Sequence, residues 1–145
     1  MGTYRHKLSF CVDHESLDLS VIPEQLNLIA NRLWKAGQPR MAPDGRLLGG
    51  SYQNSYCSIV FEHAPEVSLP VGLKVALAEL TPHKPFLEEL VVSGANLRFF
   101  VGWFSDSNSR DYLDWKLLKE IADLKISLDL DFYGPDETNP VDQSQ

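Results

Sequence analysis

"DLKISLDLDFYG" (residues 123–134) decides the fold, because it holds the end of a helix and a complete amphipathic strand. From Ile126 onward the side chains alternate. Ile126, Leu128, Leu130 and Phe132 project one way and Ser127, Asp129, Asp131 and Tyr133 the other, the period-two pattern of a strand covered on one face. A strand of a doubly wound parallel sheet is buried on both faces and reads as a continuous apolar run. The interspersed acids therefore argue for a layer of helices on one side only.

Upstream, "DYLDWKLLKEIADLK" (111–125) sets Leu113, Leu117, Ile121 and Leu124 in one helical stripe, with Asp111 or Ser109 as the cap and Lys125 at the negative end of the helix dipole. "YRHKLSFCV" (4–12) alternates as a first strand, "YCSIVFE" (56–62) has the β-branched and aromatic content of a second, and "ANLRFFVGWF" (95–104) forms a third. "DLSVIPEQLNL" (18–28) predicts a short helix capped by Asp18 or Ser20, and "LPVGLKVALAEL" (69–80) a longer one that Pro82 ends, with a further helical turn or two from Pro85. Helices alternate with one-sided strands. The expected fold is an α+β two-layer sandwich, a mainly antiparallel four-stranded sheet with helices on one face, built from βαβ units on a ferredoxin-like plan. Residues 1–134 form a single domain in this reading, and 135–145 a disordered acidic tail.

A chain of 145 residues with 43% apolar and 23% charged side chains fits one domain with a real core, since a chain of this size buries roughly two-thirds of its unfolded surface. Its formal charge of −7 argues against nucleic acid and suits a basic protein partner. No run approaches a membrane span or a signal peptide, and Cys11 and Cys57 sit in strand-like runs without metal or redox spacing, which suits the reducing cytoplasm.

Candidate functional residues fall in two places. Asp129 and Asp131 lie about 6.5 to 7 Å apart on the wet side of the last strand together with Tyr133, facing the same way as Arg98 and Phe100 of the third. They could flank a metal or divide acid and base roles, but no third ligand or opposed environment is visible locally, and pairing with Arg5, Lys7 or Arg98 is the ordinary fate of such acids. The second place is the long connection from Ile29 to Asn54, where Arg32, Lys35, Arg40 and Arg46 face the single acid Asp44. Trp34 and Lys35, with Arg40 as a fork-like donor, could meet an anion or a peptide there; the competing reading packs Trp34 on the core and leaves the cations solvated. Trp103 and Trp115 are expected in the core. His6, His14, His63 and His83 are scattered without metal spacing and are expected to be inert, so the sequence implies no metal, no cofactor and no catalytic residue.

The stretches "IPEQLNLIANRLWKAGQPRMAPDG" and "LLKEIADLKISLDLDFYG" resemble the bacterial family catalogued as domain of unknown function 4279, over Tyr4 to about Gly134. The most specific parts are Trp34, Lys35 and Gly37 and the closing Asp129, Asp131 and Tyr133. The resemblance brings no activity; it implies a small bacterial cytosolic α+β protein of accessory or toxin-immunity context. Three functions are carried forward. The favoured one is a non-catalytic, immunity-type binding protein that neutralises a partner toxin by direct contact. The others are a small-molecule or metal-dependent enzyme using Asp129 and Asp131, and a self-associating, homodimeric structural protein.

Overall fold

The computed structural model describes residues 3–135. The acidic tail expected at 135–145 lies, apart from Pro135, outside the described residues. Strand β1 (Arg5–His14) is central and long, as its alternation predicts, and helix α1 (Val21–Leu26) follows with Ile22 and Leu26 buried. Then come β2 (Arg32–Trp34), β3 (Pro39–Met41), β4 (Leu47–Ser51) and β5 (Ser55–Phe61). Helices α2 (Leu69–Leu80) and α3 (Lys84–Val92) are joined by a 3-10 turn at Thr81–His83, after which β6 (Asn96–Phe104), α4 (Trp115–Asp123) and β7 (Ile126–Tyr133) complete the fold.

The main sheet runs β2-β5-β1-β6-β7, so it has five strands where four were expected. The extra strand is β2. Three residues are too few for periodicity to reveal; β2 pairs Arg32, Leu33 and Trp34 with Ser58, Cys57 and Tyr56, and Asn31 ties down the edge of β5. The Asn31 N–H donates to the Ser58 carbonyl at 2.8 Å, and its Oδ1 accepts the Val60 N–H at 2.7 Å. The rest of the supposed loop folds into a separate β3–β4 hairpin.

Every pairing is antiparallel except β6 with β7, which is parallel and continuous from Leu97↔Ile126 to Phe104↔Tyr133. That pair encloses a βαβ unit of adjacent strands, β6–α4–β7, while α2 and α3 link the parallel strands β5 and β6 across β1 in a split one. The helices supply one apolar layer. Leu73, Ala76, Leu77 and Leu80 of α2, Leu87 and Leu90 of α3, and Leu117 and Ile121 of α4 bury against Leu8, Phe10, Val12, Leu97, Phe99 and Val101. Phe10 and Phe99 meet edge to face at 6.0 Å in the middle of that layer.

Three expectations need correction. Helix α4 is capped by Asp114, whose Oδ1 accepts the Leu117 N–H at 2.9 Å, and neither Asp111 nor Ser109 caps it. Asp111 is taken instead by the Tyr4 hydroxyl, and Ser109 Oγ accepts the Trp103 indole N–H at 3.0 Å. Trp115 is 68% exposed rather than core, because the buried stripe of α4 runs through Leu117 and Ile121. Finally, the apolar side of β7 does not anchor the interior along its whole length. Ile126 is buried, but Leu130 is 43% and Phe132 63% exposed, because β7 is an edge strand that runs out from under α4.

Candidate functional site

Strand alternation leaves one face of the sheet without helices, and register lays its side chains out in rows. Cys11, Arg98 and Ser127 stand abreast on β1, β6 and β7, with Asp13 a step to one side and Phe100 and Asp129 a step to the other. Arg98 therefore reaches diagonally both ways. Its Nη1 donates to both carboxylate oxygens of Asp13, at 2.9 and 3.0 Å, and its Nε lies 3.3 Å from Asp129 Oδ2, an ion-pair distance without hydrogen-bond alignment. Its guanidinium carbon is 6.0 Å from the centre of the Tyr56 ring. Burial, the largest single effect, pulls the Arg98 pKa down, but the charge and hydrogen bond of Asp13 together with Cys11 and Tyr56 outweigh it and hold the guanidinium above its ordinary value. Arg98 is a fixed charge that clamps β1, β6 and β7 together.

At the Asp13 end this face opens into a cleft of about 780 Å³, lined by Asp13, Trp34, Arg40, Tyr52, Tyr56 and Arg98 and by the polar segment from Gly50 to Ser55. Trp34, from β2, stacks on Tyr52 at 4.4 Å with planes 9° apart and tilts against Tyr56 at 4.8 Å. Tyr52 is pinned to the hairpin: its hydroxyl accepts the Met41 N–H at 3.2 Å and donates to the Met41 carbonyl at 3.3 Å. The Tyr56 hydroxyl donates to Cys11 Sγ at 3.2 Å. Arg40, in the middle of β3, is half-buried. It forms no hydrogen bond or ion pair with the described residues.

The cleft thus gathers Trp34, Arg40 and Arg98 of the residues singled out from the sequence, and Asp129 touches it through Arg98. Lys35 is exposed and lies outside its lining. Phe100, Asp131 and Tyr133 share the open face but stand farther along it. There Asp131 Oδ2 accepts the Tyr133 hydroxyl at 2.6 Å, and the Tyr133 ring stacks on Phe104 at 4.9 Å. A Cβ at Gly102 would come within 3.1 Å of Phe104 Cζ, so the glycine is what allows that ring to fold across the strand. The expected pairing of the acids with basic neighbours holds for Asp129 with Arg98. Arg5 and Lys7 belong to β1, which β6 separates from β7.

Asp13, Tyr52 and Tyr56 were not singled out from the sequence. Asp13 has the same parity as Cys11, on the polar side of β1, but its role depends on β1 and β6 being neighbours, which periodicity does not report. Tyr52 and Tyr56 flank the turn "QNS", whose signal is a loop and nothing more.

A second hollow of about 610 Å³ lies at the opposite end of β1, lined by Tyr4, His6, Glu62, His63, Phe104 and neighbouring residues. His6 and His63, unrelated in sequence, stack there at 4.0 Å. His6 is 7% exposed, both its ring nitrogens lack a partner among the described residues, and a Cβ on Gly72 of α2 would touch its Nε2 at 3.1 Å. Burial, reinforced by His63 and opposed by Asp111, lowers its pKa to about 4, so His6 is neutral at pH 7. His14 has a structural task. Its Nδ1 accepts the Ser16 and Leu17 N–H groups, which leaves Nε2 to donate to the Ser93 carbonyl at 2.8 Å.

Cys57 is buried in the core, where desolvation, with Cys11 nearby, pushes its thiol up to about 12; neither cysteine is in a disulfide. Among the described residues no group of three His, Cys, Asp or Glu side chains is placed to hold a metal ion, and no helix is long and apolar enough to cross a membrane.

No curated protein and no solved structure matches the chain. One family model does, over residues 3–135, which takes in every element of the fold and both hollows. The chain belongs to the family described as domain of unknown function DUF4279.

Proposed function

We propose that this is a non-catalytic binding protein that holds a partner protein on its open sheet face, in the manner of an immunity protein that occupies a toxin. The observation that carries the reading is the convergence of Trp34, Tyr52, Tyr56, Arg40 and Arg98 on one cleft. Tryptophan, tyrosine and arginine are the side chains that dominate binding energy at protein interfaces, and they do so when gathered in a pocket with fixed walls. Here the walls are fixed by the Trp34–Tyr52 stack and the Asp13–Arg98 ion pair. Two buried thiols outside any disulfide suit a reducing compartment such as a bacterial cytoplasm.

The enzyme reading through Asp129 and Asp131 has less behind it. Asp129 faces Arg98, and Asp131 accepts the hydroxyl of Tyr133, so each carboxylate is occupied by its own neighbour.

The test is affinity capture from the native cell lysate with the wild-type chain and with Trp34→Ala. A protein retained by the first and lost by the second, with both variants equally folded by circular dichroism, is the expected result. Recovery of the same proteins in the same amounts by both would overturn the assignment of the cleft.

A further inference from the structure

We infer that the cleft takes up a carboxylate of the bound partner, an Asp or Glu side chain set among apolar neighbours. The inference rests on the binding reading above and gives the cleft a positive sign, opposite to that of the chain as a whole at −7.

The one carboxylate in the lining, Asp13, has both oxygens on Arg98 Nη1, so an arriving cation finds no free negative group. The hydroxyls of Tyr52 and Tyr56 are committed to Met41 and to Cys11. Besides Arg98, whose charge is balanced by Asp13 and Asp129, two strong donors remain. Arg40 and Trp34 line the cleft, and neither the guanidinium nor the indole N–H has a hydrogen-bond or ion-pair partner among the described residues.

A half-buried guanidinium gains most from a planar anion that it can grip with two parallel N–H bonds, and a carboxylate fits that fork. Ser51, Gln53 and Asn54 offer neutral groups that serve either sign and do not shift the balance. The aromatic wall supplies apolar contact for the rest of the incoming segment. The volume, about 780 Å³, lies within the range of roughly 300–1,000 Å³ of clefts that bury a small molecule, and suits one or two side chains rather than a whole helix.

The experiment uses the full, isotope-labelled chain and four probes, followed by amide and indole NMR shifts. The probes are the capped peptide acetyl-Phe-Glu-Leu-amide, its Gln and Lys counterparts, and inorganic phosphate. The glutamate peptide is expected to move the Tyr52, Gln53 and Asn54 amides and the Trp34 indole, and to bind about tenfold more tightly than the glutamine peptide. Arg40→Gln is expected to remove that tenfold preference without lowering the melting temperature.

Absent or equal binding of the Glu and Gln peptides, tighter binding of the Lys peptide, or shifts centred outside the cleft would each overturn the inference. So would phosphate occupying the cleft as tightly as the glutamate peptide, which would make it a site for free anions. A captured partner that Trp34→Ala loses and Arg40→Gln retains would leave the binding function standing and sink only the acidic contact.

Discussion

Arg98 of β6 holds both carboxylate oxygens of Asp13 with one nitrogen, at 2.9 and 3.0 Å, while its Nε turns toward Asp129 on the strand to the other side. One guanidinium thus joins three strands on the open face. Because the Arg98 side chain is 15% exposed and Asp13 28%, this pair is shielded more than an ordinary surface ion pair. Asp13→Asn is expected to cost about 1–3 kcal/mol in urea unfolding, since it leaves a desolvated cation with Asp129 alone. A double-mutant cycle with Arg98→Gln should return a coupling energy well above zero. Additive single effects would mean that the contact is not formed in solution.

Arg40 is the opposite case, a cation of the same cleft with no partner among the described residues. Its removal should be silent for the fold. Arg40→Gln is expected to change unfolding free energy by no more than about 0.5 kcal/mol, the usual range for positions without a specific contact. A larger loss would reveal a structural role and disqualify the variant as a probe of binding.

His6 should make the protein sensitive to acid. Its pKa in the fold is lowered to about 4 by burial, with His63 adding to the effect, so its neutral form is the one that fits. A depressed folded value stabilises the protein above the free value of about 6.5, and that contribution fades as pH falls from there through 4. The loss is at most on the order of 3 kcal/mol at low pH. His6→Leu removes the titrating ring, and with it two nitrogens that lack partners. Its unfolding free energy should therefore fall less steeply between pH 6.5 and 4 than that of the wild type. Parallel slopes would show that His6 is not held neutral.

Two phenylalanines test how the helix layer ends. Phe99 is wholly buried beside Phe10, and Phe99→Ala is expected to cost about 3–5 kcal/mol through lost transfer energy and the cavity left behind. Phe132, 63% exposed and tilted against Trp103 at 5.7 Å, keeps most of its surface in water. Phe132→Ala should cost about 1 kcal/mol or less. Comparable losses at the two positions would mean that β7 is covered in solution.

Periodicity was enough to identify β1, β6, α2, α4 and β7, because each carries an alternating or stripe pattern that only one backbone geometry can bury on a single side, and β-branched and aromatic content identified β5. The same pattern implied helices over one face and an open face opposite. Trp34, Arg40 and Arg98 were legible as candidates from residue type and local charge. Their meeting was not. Trp34 and Arg40 come from the connection between Ile29 and Asn54, Arg98 from a strand well over forty residues later, and Asp13 from the first strand.

What the residues determined by themselves is local, the choice of helix or strand and the side that each turns inward, since these follow from spacing along the chain. Tertiary structure alone decided the strand order, the pairing of β2 with β5, and hence which polar side chains share a cleft. Strand neighbours are selected by competition among many long-range contacts of similar energy, and no single segment carries that information. The exposure of Phe132 and Trp115 has the same origin, because an apolar side chain is buried only as far as the neighbouring layer extends.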